Sequence, residues 1–181
     1  MTTSTTFESA AGRAEFLRRH ADDVYAELTD GCREAVRVEE LVFRAADRYP
    51  GLVPSREEIA AERGLPQSRK RGVEVDQGLL LSHVLARPRA GRHLVHAMLR
   101  PRPDALALLD EFRRSGRADL GVVVVERRGA AGHVELRNLR YLNAEDGPAT
   151  AALETAVDLV LLDPACEVGV LRGGAVDHPR H

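Results

Sequence analysis

Apolar residues recur at helical spacing through the first part of the chain and at strand spacing after it. Phe16, Leu17, Val24 and Leu28 fall near one helix face, with Arg18, Arg19, Asp22 and Asp23 between them. Asp30-Gly31 punctuates the chain, and a second helix is predicted over 33–48, carrying Val38, Leu41, Val42 and Ala45 up to Pro50-Gly51. Ser55 followed by Glu58 is a capping-box spacing that opens a short helix ending at Gly64. Further helical stretches follow over 75–85 and 90–99. Asp104 is the expected N-cap of a last one, over 105–114, with Gly116 beyond its end.

After Asp119 the period changes. Val122-Val123-Val124-Val125 is β-branched and bounded by glycines, while His133-Val134-Glu135-Leu136-Arg137 alternates polar and apolar. The link Gly129-Ala130-Ala131-Gly132 makes these a hairpin. Gly147-Pro148 opens a helix whose predicted face is Ala152, Leu153, Ala156, Val157, Val160 and Leu161, ended by Asp163-Pro164. A short strand follows over 167–171. The order β-β-α-β implies a right-handed crossover that lays the last strand parallel to one of the first pair. The fold class is therefore α+β, with a helical N-terminal domain over 1–117 and a β-β-α-β unit over 118–181. One helix cannot cover both faces of such a sheet, so the second domain reads as incomplete, and the chain as truncated.

Composition narrows the function more by exclusion than by indication. With 26 basic and 28 acidic side chains among 181 residues, the chain is not a generally basic nucleic-acid binder. No apolar run approaches the roughly 20 residues that span a bilayer. Residues 1–6 lack a basic n-region followed by an apolar one, so the expected compartment is the cytoplasm. Cys32 and Cys166 form no CxxC pair and read as reduced cysteines. His93 and His96 share a helix face, but no nearby carboxylate or cysteine completes a zinc set, and His178 and His181 fall on a terminal tail. Residues 63–117 hold 12 basic against 5 acidic side chains, densest at Arg87, Arg89, Arg92, Arg100 and Arg102. A solvated helical face pairing with acidic neighbours is the favoured reading, with a phosphate or nucleic-acid surface as its rival. No GxGxxG, Walker loop or GxSxG elbow is present.

The segment Arg140-Tyr141-Leu142-Asn143-Ala144-Glu145-Asp146 lies between a strand end and a helix start, where α/β proteins collect ligands. A loop and cap, with Asp146 or Asn143 satisfying helix N–H groups, explains the same residues equally well.

The second part resembles the start of a crotonase (enoyl-CoA hydratase/isomerase) domain. The resemblance rests on the hairpin Gly132-His133-Val134-Glu135-Leu136, the tripeptide Leu142-Asn143-Ala144, the helix near 153–162 and the turn Val170-Leu171-Arg172-Gly173-Gly174. A long helical preface is unusual for that superfamily. Together with Asp76-Gln77-Gly78, Leu81-Ser82-His83-Val84-Leu85, Gly91-Arg92-His93-Leu94 and Met98-Leu99-Arg100-Pro101, it looks like one branch. That branch is the 3,5-dihydroxyphenylacetyl-CoA dioxygenases of glycopeptide-antibiotic biosynthesis.

The resemblance implies a cofactor-independent oxygenase that uses neither metal nor flavin, CoA being part of the substrate. Its partners are then an acyl-CoA thioester and O2, with assembly as a trimer or dimer of trimers, and no nucleic acid or membrane. By the same resemblance Leu142, Asn143 and Ala144 meet the CoA adenine and pantetheine, largely through backbone, and Arg140 is a further candidate for touching substrate. Glu145 accepts a hydrogen bond from a ring hydroxyl. No catalytic residue is assigned, because the stretches that supply the two oxyanion-hole amides in crotonases are absent, and the chain alone is expected to be inactive. Two alternatives remain: an enoyl-CoA hydratase or isomerase, and a non-catalytic helical module that mediates assembly.

Overall fold

A computed structural model of the protein describes residue 7 and residues 9–176, with the side chain of Arg140 outside the description. The expectations placed on residues 1–6, His178 and His181 lie outside the described residues. The chain divides into two compact units, residues 1–100 and 101–181.

The first unit is helical: α1 (Ala10–Leu28), α2 (Val38–Arg48), α3 (Arg56–Arg63), a 3-10 turn (Gln67–Arg69), α4 (Val75–Leu85) and α5 (Pro88–Met98). Its core gathers Leu17, Val24, Tyr25, Leu41, Leu52, Leu80, Val84 and Leu94. The capping box at Ser55 and Glu58 forms as its spacing predicts, with both reciprocal hydrogen bonds present. Two boundaries differ from the periodicity. The second helix begins at Val38 rather than at 33, because Thr29 turns the chain first. Its hydroxyl donates to Tyr25 O at 2.7 Å and accepts from Cys32 N at 3.2 Å. Asp30, Gly31 and Cys32 then all take positive φ. Pro88 opens α5 as its first residue instead of standing between helices, since a missing N–H costs nothing there.

The second unit comprises α6 (Pro103–Ser115), β1 (Arg117–Asp119), β2 (Val123–Arg128), β3 (Ala131–Leu136), a 3-10 turn (Leu139–Tyr141), α7 (Gly147–Leu162) and β4 (Val168–Gly173). It is mixed α and β around a four-stranded sheet in the order β1-β2-β3-β4. The hairpin turns at Gly129-Ala130, and β4 runs parallel to β3 with Val134 opposite Leu171. β1 had no periodic signal in its three polar-rich residues. Helix α6, grouped above with the helical preface, belongs to this second unit. Ala105 and Phe112 pack with Val123, Val125, Val134, Ala156 and Leu159 in one core.

Asp104 does not cap α6. Arg102 occupies that position, its amide donating to Asp158 at 2.7 Å and its guanidinium to Glu154 at 2.7 Å, so α7 carboxylates anchor the helix start. The packed face of α7 also differs from the predicted one. Ala149, Thr155, Ala156, Leu159 and Val160 are buried, whereas Val157 and Leu161 are exposed. Two residues of that predicted stripe turn to solvent because the contact closes around Gly132. A Cβ there would lie 2.5 Å from a methyl of Val160, and this close approach sets the rotation of α7 on the sheet. All six residues of β4 are exposed.

Candidate functional site

The parallel strands β3 and β4 end side by side, and the chain leaving β3 loops over both ends before entering α7. Asn138, only 5% exposed, organises that loop. Its carbonyl accepts from the amides of Tyr141 at 3.0 Å and Asn143 at 2.9 Å, while its Nδ2 donates to Ala144 O at 2.8 Å. One buried residue thus folds 138–144 into a compact knot through its carbonyl and its side-chain amide nitrogen.

Leu142 and Asn143 both take left-handed backbone conformations, at φ 55° and 60°. Asparagine tolerates this region, but leucine does so rarely, so the knot holds Leu142 in a strained conformation. Asn143 then ties the loop to the turn after β4: its Nδ2 donates to Gly174 O at 2.8 Å. A Cβ on Gly173 would stand 3.1 Å from that nitrogen, which accounts for glycine there. The Asn143 Oδ1 is buried and has no hydrogen-bond partner among the described residues. Gly174 N donates to Leu136 O at 2.7 Å, closing the ends of the two strands together.

Asp146 is the N-cap of α7, accepting from Ala149 N at 2.9 Å. Of the two cap candidates, the role therefore falls to Asp146 and not to Asn143. Glu145 stands beside it, exposed and without a hydrogen bond or ion pair among the described residues. Leu139, Tyr141 and Leu142 are also exposed. Residues 139–145 thus present three exposed apolar side chains and a free carboxylate at the carboxyl ends of parallel strands, the position where open α/β sheets hold ligands.

Ala144 is exposed on the same loop, with its carbonyl committed to Asn138. Arg140 contributes its backbone to the 3-10 turn, and its side chain lies outside the described residues. Asn138, Glu135 and Arg172 complete the arrangement, and nothing in the sequence marked them. The Glu135 carboxylate bridges Arg137, at 2.6 Å, and Arg172. The hydrogen bond from Arg137, with that from Arg172, holds its carboxyl below the ordinary value despite opposing desolvation. A lone Asn or a charged pair two residues apart carries no periodic signal, so only the pairing of β3 with β4 reveals them.

Elsewhere, His93 and His96 do not converge with other ligands. His93 Nδ1 meets the Tyr25 hydroxyl at 2.8 Å, and among the described residues no three His, Cys, Asp or Glu side chains are arranged to hold a metal ion. Cys32 and Cys166 are free. Among the described residues, no helix is long and apolar enough to cross a membrane. Much of the basic stretch 63–117 is paired: Arg63 with Glu74, Arg87 with Asp22, Arg102 with Glu154, and Arg114 with Glu111.

No family model matches the chain. A curated relative does: (3,5-dihydroxyphenyl)acetyl-CoA 1,2-dioxygenase of Amycolatopsis orientalis is 47% identical over 174 residues. The alignment takes in 96% of this chain and 40% of that protein, so the chain spans well under half the length of the relative it matches. The similarity covers both the helical unit and the strand-end loop, and the chain is a homologue of part of a dioxygenase.

Proposed function

We propose that this chain is the N-terminal part of a crotonase-type oxygenase acting on 3,5-dihydroxyphenylacetyl-CoA in the cytoplasm, in glycopeptide-antibiotic biosynthesis. The observation that supports it is the 47% identity, which runs through the helical preface and the strand-end loop alike. In this reading a proton leaves the carbon between ring and thioester, and the carbanion is stabilised as an enolate. That carbanion attacks O2 directly. Both oxygen atoms enter the product, the C–S bond breaks, and 3,5-dihydroxyphenylglyoxylate and CoA-SH result with no external reductant. The reaction so read uses no metal or flavin. Two backbone N–H groups facing the thioester oxygen supply the main electrostatic stabilisation, and an apolar pocket keeps water from the intermediate. Those amides belong to stretches beyond the ones in this chain.

The part assigned to residues here is substrate holding. Leu142, Asn143 and Ala144 meet the CoA adenine and pantetheine largely through backbone, on a loop tied together by Asn138 and Asn143, and Arg140 touches the substrate from the same loop. Glu145, which has no hydrogen bond or ion pair among the described residues, accepts from a ring hydroxyl. The open β4 edge is where the remaining sheet of the same domain pairs, and the complete enzyme is a trimer or dimer of trimers.

The test begins with the DNA beyond the codon for His181. A frame that continues through Ser-Ala-Gly and a Gly-rich helix start, and whose full product consumes O2 and releases CoA from the aryl-acetyl thioester, bears the proposal out. A stop codon at that point, with a stable product, would favour an assembly module. A full product that hydrates or isomerises enoyl-CoA without using O2 would place it with ordinary crotonases.

A further inference from the structure

We infer that the helical unit carries a binding site for a phosphate monoester, in the cavity beside the first two turns of α5. This cavity, of about 530 Å³, is lined by Cys32, Pro88, Arg89, Arg92, His93 and His96. It is a hollow open to solvent and larger than a bare ion needs.

Four nitrogen-bearing side chains line it from a single helix face, since positions 89, 92, 93 and 96 repeat at intervals of three and four. No carboxylate is among the lining residues. Arg92 and His96 have no hydrogen bond or ion pair among the described residues, in contrast to the many arginines of this chain that are paired. Arg89 is positioned by a hydrogen bond from Nη2 to Gly31 O at 3.0 Å, which leaves its other guanidinium N–H groups unused by that contact.

His93 is held as well. Its Nδ1 lies 2.8 Å from the Tyr25 hydroxyl, and with the phenol as donor Nε2 carries the ring proton. The positive end of α5 adds to the same field. Donors spread over two turns suit the three terminal oxygens of a phosphate monoester better than the two of a carboxylate, and the guanidinium fork matches phosphate geometry. Across from the helix the lining is Cys32, the last residue of a left-handed turn, so the pocket lies between two segments of the unit and is not a bare helix end. Free phosphate and the 3′-phosphate of a CoA share this chemistry.

The experiment is calorimetric titration of the 181-residue chain at constant ionic strength with inorganic phosphate, CoA, dephospho-CoA and acetate. Carbon-bound proton resonances of His93 and His96 are followed in parallel by NMR. Saturable phosphate binding that moves both histidine signals is expected. Arg92→Gln and His96→Gln, both at exposed positions and checked for folding by circular dichroism, should each weaken it roughly tenfold, the loss of one charge-assisted hydrogen bond. Tighter binding of CoA than of dephospho-CoA, lost in Arg92→Gln, would identify the 3′-phosphate. Equal binding of inorganic phosphate and CoA would identify free phosphate. Absence of saturable binding, an equal response to acetate, or unchanged affinity in both variants would overturn the site.

Discussion

At the scale of single residues, the second unit depends on close approaches that leave no latitude. A Cβ at Gly132 would lie 2.5 Å and 2.7 Å from the two methyls of Val160. Val160 is β-branched, so it has little rotamer freedom with which to give way. Gly132→Ala is therefore expected to destabilise the unit by about 1–3 kcal/mol through overpacking. Val160→Ala in the same background should return part of the loss, a coupling that urea titration of the two single variants and the double variant would measure. Simple additivity would show that α7 does not sit on Gly132 as described. The loop offers a different kind of residue-scale test. Asp146 holds the cap, so the equivalent of Glu145→Gln in a full-length homologue should leave melting temperature nearly unchanged. If Glu145 binds a ring hydroxyl, kcat/KM should fall roughly tenfold or more, the value of a hydrogen bond to a charged group. A substrate analogue lacking ring hydroxyls should be indifferent to the change. Unaltered kcat/KM with the native substrate removes Glu145 from the site.

At the scale of elements, the end of α7 is fixed by an ion pair between Arg127 on β2 and Asp163, whose side chain is 2% exposed. Burial alone would raise the Asp163 carboxyl. The Ala165 amide and the Arg127 guanidinium outweigh it and hold the group below its ordinary value of 3.8. A depressed folded-state pKa contributes stability that is present above 3.8 and lost as pH falls through the lower folded value. Arg127→Gln, which strands a buried carboxylate, should cost about 3 kcal/mol at pH 7. The gap from the unaltered chain should narrow towards pH 3, as urea midpoints at the two pH values would reveal. A gap independent of pH would mean that the ion pair contributes nothing and that Arg127 acts by packing. These elements also mark how far the sequence could be read. The capping box at Ser55, the αL glycine at Gly116 and the alternation from His133 to Arg137 are local signals, and each formed, the last as a strand that runs from Ala131 to Leu136 and stops short of Arg137. What lay beyond reading was set by distant partners: α6 starting on α7 carboxylates, α7 rotated by a glycine on β3, and Asn138 knotting its own loop. The strand-end segment was visible as a place where chemistry collects. Its division of labour, with Asp146 as cap and Glu145 left free, depended on one hydrogen bond to Ala149 that no spacing rule distinguishes.

At the scale of the whole chain, β4 closes one side of the sheet and pairs only with β3 among the described residues. Val168, Val170 and Leu171 of β4 are 54%, 37% and 61% exposed, and Leu161 on α7 is 76% exposed. Open backbone donors and acceptors beside bare apolar side chains are a template for association, which natural sheets blunt with charge, proline or cover. On β4 only Arg172 is charged, and Glu135 already engages it. The 181-residue chain alone should therefore self-associate, and replacing Val170 with lysine, which places a charge on the edge strand, should reduce this without lowering the melting temperature. Size-exclusion chromatography with light scattering checks it, and a clean monomer of 19.8 kDa that binds no apolar dye would refute the exposed edge. The share of the relative that this chain matches, 40%, bears on chemistry. If the oxyanion amides lie in the part of the relative that this chain does not match, no arrangement of residues here replaces them, and each such donor is worth about 10²–10³ in rate. The isolated chain should then consume no O2 with 3,5-dihydroxyphenylacetyl-CoA, while CoA should still protect residues 139–145 from hydrogen exchange. Turnover within about tenfold of an intact homologue, a smaller loss than one missing donor causes, would show that the reacting centre lies within these residues after all.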